Sequence, residues 1–311
     1  MIDLTNKRIV VTGGAGFFGS HVVDRLKQQN RYVSTIWSDT FDLRKADAVQ
    51  ALYYMYKPQI VINLAARVGG IGWNQKNPAV CLHDNLLIGL NMLQGAVEAG
   101  VEKFVQVASV CGYPAFASVP MKEEDIWNGY PEPTNGPYGI AKRVLLKACE
   151  SYNKQYGLNA VGLIPINLYG PRDNFDLESS HVIPAMIRKF VTAKQKGEDV
   201  TLWGSGKVSR EFLYVEDAAE AVVLATERYD NPDPVNLGTG KEILISDLAN
   251  LIAEEIEFDG QIVYDTSRPD GQLRRCLDTS KAKEFGFTAK TDFKDGLKKT
   301  IQWYKGNYEG R

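Results

Sequence analysis

An α/β fold, a doubly wound parallel sheet followed by a smaller α/β lobe, is predicted by three observations in this 311-residue chain. The first half alternates short β-branched runs with amphipathic stretches. A glycine-rich turn, Gly13-Gly14-Ala15-Gly16 and then Gly19, follows the first of those runs directly. Beyond about residue 170 the texture changes to shorter runs punctuated by Pro and Gly.

The apolar runs are RIVVT at 8–12, YVSTIW at 32–37, QIVINLA at 59–65, KFVQVAS at 103–109 and AVGLIPI at 160–166. Runs this short and continuously apolar suit parallel strands covered on both faces, and the segments between them suit crossover helices. Residues 1–170 are therefore expected to form a Rossmann-type dinucleotide-binding domain, with some later segments returning to it. Residues 171–311 are expected to form mainly a substrate-binding lobe. Its strands are TLWG, REFLYV, PVNLG and QIVYD, and its helices include HVIPAMIRKFVTAKQK and ISDLANLIAEEI. No long linker separates the two, so they should share one cleft.

Composition narrows the function classes. Lys and Arg number 36 against 38 Asp and Glu, a formal charge of -2, which gives no global pull toward nucleic acid or an acidic membrane. Cys81, Cys111, Cys149 and Cys276 are scattered, with no C-x-x-C pair and no His cluster, so neither zinc nor a disulfide framework is expected. A reducing cytoplasm fits that cysteine usage, and no signal peptide or membrane span is read from the sequence.

In TGGAGFFGSHVVDRL, Gly13, Gly16 and Gly19 stand between a strand and a helix. A dinucleotide needs this: a tight turn, backbone without Cβ close to the pyrophosphate, and a helix N-terminus facing it. Phe17 and Phe18 open the helix and Ala65 follows the third strand; all three are assigned to the cofactor with the glycines. At the end of the second strand Asp39 either binds ribose hydroxyls or occupies a solvated turn. Arg44 either meets a 2′-phosphate or caps the next helix, and these residues leave both NADP and NAD open.

The reacting centre is read from Ser109, Tyr138 and Lys142. Tyr138 and Lys142 stand four apart in PYGIAK, on one face of a helix, where the ammonium would favour the phenolate and bring the phenol toward neutral proton transfer. A Y-x-x-x-K pair alone recurs by chance on many helices. With a serine closing the fourth strand and a glycine turn at the start, the chain resembles the short-chain dehydrogenase/reductase superfamily. AARVGGIGWNQKNP at 65–78, DNLLIGLN at 84–91, EPTNGPYGIAK at 132–142, NLYGPRDNF at 167–175 and SHVIPAMIRKF at 180–190 resemble its GDP-L-fucose synthase family.

That resemblance implies an NAD(P)H-dependent epimerase-reductase acting on GDP-4-keto-6-deoxy-D-mannose; a nucleotide-sugar epimerase or a 4-reductase of a related keto-sugar is the alternative. It implies NADP as cofactor, with NAD open, and an epimerisation pair at Cys111 and His181, His181 also lying by the cofactor. Taken alone, Cys111 reads as a small buried hydrophobe and His181 as a capping or surface residue. The chemistry suits the pair, since a ketone at C4 acidifies C3 and C5, and groups with free pKa values of about 8.5 and 6.5 hold or release protons near neutrality. The same resemblance places substrate at Asn167, Arg188 or Lys189, Trp203, Arg210, Asp270 and Arg275. The chain departs from that family in having Gly13-Gly14-Ala15-Gly16 in place of G-H-x-G, and Ile36-Trp37-Ser38 in place of arginines. No nucleic-acid partner is expected. A homodimer is, through helices starting near Asn85 and Pro137, on account of Leu86, Leu90, Leu93, Val144, Leu145 and Ala148.

Overall fold

In a computed structural model of the chain the described residues are 1–308 apart from Arg31, Glu178 and Pro269. The first half runs β1 (Ile9–Thr12), α1 (Phe17–Lys27), β2 (Val33–Ile36), α2 (Ala46–Tyr56), β3 (Ile60–Asn63), α3 (Ile71–Lys76), α4 (Pro78–Glu98), β4 (Lys103–Val107), α5 (Gly136–Tyr156) and β5 (Ala160–Pro165). Then come β6 (Asn167–Tyr169), α6 (Val182–Lys196), β7 (Val200–Trp203), β8 (Ser209–Tyr214), α7 (Val215–Arg228) and β9 (Val235–Leu237). The chain closes with β10 (Glu242–Leu244), α8 (Ile245–Ile256), β11 (Ile262–Asp265), α9 (Ser280–Glu284) and α10 (Phe293–Tyr308).

Six strands form one parallel sheet in the order β2-β1-β3-β4-β5-β9. This is the Rossmann-type sheet expected from the apolar runs. Alternation along β1 explains its two covers: Ile9 and Val11 pack toward α1 and α7, while Val10 packs toward α2, α4 and α5. The order reverses between β1 and β3, and at such a switch point the carboxyl ends of the strands leave a crevice for ligand. The late segments α7 and β9 belong to this layer, α7 packing on α1 and β9 pairing with β5.

A second core gathers α6, α8, α10, β7 and β8 around Phe175, Phe190, Leu248 and Ile252. It carries a three-stranded sheet, β10-β8-β6, and the pair β11-β7. The sequence gives no warning of β6 and β10: each is three residues long and partly polar, and takes its shape from pairing with β8.

The apolar helix positions read as a dimer face divide in two. Leu93 and Leu145 are fully buried within the chain, where Leu145 packs so closely on α4 that a Cβ at Gly89 would lie 2.3 Å from it. Their surplus was apparent only because α4 and α5 pack on each other as well as on the sheet. Val144 is exposed, and Leu86, Leu90 and Ala148 are half-buried.

Candidate active site

The glycine turn is built by contact as much as by conformation. Gly13 has φ +67°, and a Cβ there would stand 2.8 Å from the Ala65 amide nitrogen; one at Gly19 would stand 2.0 Å from the Gly13 carbonyl oxygen. Substitution at either would pry β1, β3 and α1 apart at the switch point. Gly16 caps α1 in extended conformation, so the helix opens with Phe17 and Phe18 immediately beside the turn. The cradle therefore fits a dinucleotide's pyrophosphate: close backbone and a helix N-terminus with no acidic side chain in its first turn.

Beyond β2, Asp39 is exposed and accepts only a 3.2 Å hydrogen bond from the Thr40 hydroxyl among the bonds described. Arg44 neither caps α2 nor stands spare. Its guanidinium grips both Asp42 oxygens, at 2.8 and 2.9 Å, and reaches Asp84 at 3.1 Å. Arg67 shares Asp84 at 3.8 Å.

Ser109 follows β4 and caps a short 310 turn over Val110–Gly112, its Oγ accepting the Cys111 N–H at 3.2 Å. This fixes Ser109 and Cys111 side by side. Gly139, in the first turn of α5, lets the Tyr138 helix close on that turn: a Cβ there would lie 2.1 Å from the Cys111 carbonyl oxygen. Tyr138 is buried, with Ser109 and Cys111 near enough to act on its phenol. Lys142 is 2 % exposed; its Nζ donates to the Val107 carbonyl at 3.0 Å and lies 5.8 Å from the Tyr138 ring centroid.

The electrostatics differ from the expectation of a phenol drawn toward neutrality. Burial pushes the Tyr138 pKa well up, Cys111 adds to this, and Ser109 opposes it. Burial brings the Lys142 ammonium down to about 8. Desolvation outweighs attraction here because the ammonium spends its hydrogen bond on a backbone carbonyl rather than on the phenol oxygen.

His181 comes from the other lobe, as the N-cap of α6. The residue is exposed at the surface, and desolvation of its ring lowers its pKa. Arg188 on the same helix donates to the Phe175 carbonyl at 3.1 Å, strapping the segment that leads into His181. Lys189 donates to the Thr201 carbonyl at 3.1 Å and, with Arg268, flanks the exposed Trp203 ring at 5.9 and 5.1 Å. Asn167 spends its Nδ2 on the Glu211 carbonyl, pinning β6 to β8.

Arg210 on β8 is half-buried, and its pKa falls to about 10 through burial first and the neighbouring Arg275 second, with Asp270 and Glu242 opposing. Asp270 is held by the Ser205 amide and hydroxyl at 2.6 and 2.9 Å, and Arg275 by the Gln272 side chain at 3.0 Å. Two partly desolvated guanidiniums side by side make a place for a polyanion.

Sequence reasoning missed three contributors. Cys81 is a second thiol close enough to raise the Tyr138 pKa. Its neighbour Asn74 accepts from the Gly69 amide at 3.1 Å and donates to Asn135 at 2.8 Å, tying the loop after β3 to the start of α5. Arg268 is the third. None has a local spacing signal, because each meets its partner only across the fold.

A switch-point cradle for a dinucleotide beside a Ser, Tyr and Lys cluster defines a nicotinamide-dependent enzyme of the extended short-chain dehydrogenase/reductase type. The chain belongs to the NAD dependent epimerase/dehydratase family, whose model matches residues 9–238. It is 40 % identical to the GDP-L-fucose synthase of Sinorhizobium fredii, over 99 % of this chain and 98 % of that one. Among solved structures it resembles a GDP-6-OMe-4-keto-L-xylo-heptose reductase of C. jejuni at 31 % identity and TM-score 0.92, covering 97 % of this chain and 98 % of that one. It also resembles a GDP-L-fucose synthetase of Naegleria fowleri bound to NADP, at 34 % identity and TM-score 0.90, covering 97 % of this chain and 93 % of that one. Among the described residues no helix is long and apolar enough to cross a membrane, and no acidic, His and Cys cluster could hold a metal.

Proposed function

We propose that the chain is an NADPH-dependent epimerase-reductase that converts GDP-4-keto-6-deoxy-D-mannose to GDP-L-fucose. One observation carries the reading: Ser109, Cys111 and Tyr138 meet at the end of β4, so a base for carbon acids sits against the donor pair for a carbonyl oxygen. A plain dehydrogenase has no use for that thiol. Full-length kinship to GDP-L-fucose synthases and to reductases of GDP-keto-sugars supports the substrate class.

In this mechanism Cys111 removes a proton beside the C4 ketone and His181 delivers one from the other face. Desolvation lowers the His181 pKa, which makes its imidazolium a stronger acid for that donation. Ser109 and Tyr138 hold the enolate oxygen meanwhile. The Gly13, Gly16 and Gly19 cradle would hold NADPH, which would supply the hydride for C4. Tyr138 then protonates the alkoxide, and its raised pKa keeps it protonated for that donation. Lys142 holds the nicotinamide ribose, and Arg210 with Arg275 grips the diphosphate while Trp203 and Asp270 border the nucleotide and sugar.

The same reading makes the enzyme a homodimer through the exposed faces of α4 and α5, with Leu82 and Val144 at the surface, and places it in the cytoplasm, where the unpaired Cys111 stays reduced. Mass-spectrometric identification of products across GDP- and dTDP-4-keto-sugars tests the proposal. GDP-L-fucose from the GDP-linked substrate, with nicotinamide oxidised one for one, is the expected result; turnover of the dTDP sugar alone would overturn it.

A further inference from the structure

Glu211 is fully buried next to Arg210 on β8, in a position where strand alternation turns its side chain to the face opposite that arginine. Its carboxylate collects backbone donors from two separate segments. One oxygen accepts the Gly240 N–H at 2.8 Å and that of Thr239, and the other accepts the Leu277 N–H at 2.7 Å. The backbone of the same residue donates to the Arg275 carbonyl at 3.0 Å. Ser209 donates likewise to the Leu273 carbonyl at 3.0 Å, so residues 273–275 lie alongside the start of β8.

The arrangement holds two arginines that repel each other. Arg275 depresses the pKa of Arg210, and neither guanidinium closes on a carboxylate of the other's segment: Arg210 donates to the Ser209 carbonyl and Arg275 to Gln272. The like charges oppose close approach of the two guanidiniums, while the neighbouring Arg274 pairs with Glu242 on β10. Glu211 fastens the Arg275 segment to β8 from behind, and fastens both to the loop leaving β9 of the six-stranded sheet. Gly238 shows how close the fit is, since a Cβ there would lie 2.3 Å from the Glu211 Oε1.

We propose that Glu211 is a positioning residue for substrate: its buried carboxylate clamps the 275–277 segment and the 239–240 turn so that Arg275 and Arg210 face one diphosphate together. The inference rests on the reading of those arginines as the diphosphate grip. It assigns Glu211 no contact with substrate and no part in proton transfer. A buried carboxylate satisfied by backbone N–H groups cannot be exchanged for an amide, because Gln would turn an NH2 donor toward backbone donors.

The test uses the full chain and GDP as the probe, with affinities for GDP and NADPH measured by calorimetry. Glu211→Gln should weaken GDP by about tenfold or more, as loss of a supporting carboxylate does elsewhere, and leave NADPH within about twofold. In an Arg275→Ala background the same change should add less than about twofold, because its effect passes through Arg275. Gly238→Ala displaces the carboxylate without altering its charge and should reproduce the split, which guards against a Glu211→Gln chain that does not fold. Equal losses of GDP and NADPH binding, or an undiminished Glu211→Gln effect in the Arg275→Ala background, would overturn the proposal. If Arg210→Ala and Arg275→Ala themselves leave GDP affinity unchanged, the diphosphate grip is the part that fails.

Discussion

Lys142→Met should stabilise the ligand-free protein while abolishing its turnover. The ammonium is buried and its pKa falls from the ordinary 10.5 to about 8. The folded chain therefore holds this proton less tightly than the unfolded chain does. At about 1.4 kcal/mol per pH unit, the cost of charging it in the fold is roughly 3 kcal/mol below pH 8. Between about pH 8 and 10.5 the unfolded chain binds more protons, so stability climbs with pH and the cost fades. Methionine fills similar space without charge. The Val107 carbonyl that loses the lysine keeps a 2.9 Å hydrogen bond from Gln106, so no acceptor is orphaned. Allowing about 1 kcal/mol for the lost bond leaves a net gain of about 2 kcal/mol. With about 2.1 cal/mol/K of unfolding entropy per residue, that gain raises the Tm of a 311-residue chain by about 3 °C. Scanning calorimetry at pH 7 and pH 10 reads it directly. A variant less stable than the parent at pH 7, or a gain undiminished at pH 10, would refute the reasoning.

Tyr138→Phe should cut ketone reduction by at least about a hundredfold, because it removes the proton donor, and leave the NADPH dissociation constant within about threefold; steady-state rates and fluorescence titration check the two halves. Gly139→Ala would press a methyl carbon to 2.1 Å from the Cys111 carbonyl oxygen and push the thiol's turn off α5, at about 1–3 kcal/mol. Thermal unfolding should show the loss, while Gly306→Ala on the open face of α10 should show none. Asp39→Arg should raise the NADPH-to-NADH ratio of kcat/KM by about tenfold, roughly one good ionic contact, since Arg44 is committed to Asp42 and Asp84. An unmoved ratio would take Asp39 out of the cofactor site.

The legible parts were those whose cause is local. Strands buried on both faces read as unbroken apolar runs, so β1, β3, β4 and β5 lie within the runs read from sequence. Ser109 with Cys111, and Tyr138 with Lys142, are near neighbours in sequence, and their juxtaposition within each pair follows from one 310 turn and one helix. The lysine's partner was not legible, because Val107 reaches it only through sheet-to-helix packing. For the same reason the phenol's pKa moved against the expectation: sequence shows the cation but not the depth of burial. Leu93 and Leu145 looked like surplus apolar surface until α4 and α5 closed on each other. Glu211, inside the quoted REFLYV string, carried no signal of its own, since its donors come from distant segments.

The central claim, that one site both inverts carbon centres and reduces the ketone, is tested most directly by turnover of GDP-4-keto-6-deoxymannose with NADPH in heavy water. The expected product is a 6-deoxy-galactose carrying deuterium at both C3 and C5, with one nicotinamide oxidised per sugar. The Cys111→Ser variant should lose the deuterium incorporation first, because an alcohol is too weak a base near neutrality. A reduced product without deuterium at those carbons, or a changed sugar without net nicotinamide oxidation, would contradict it.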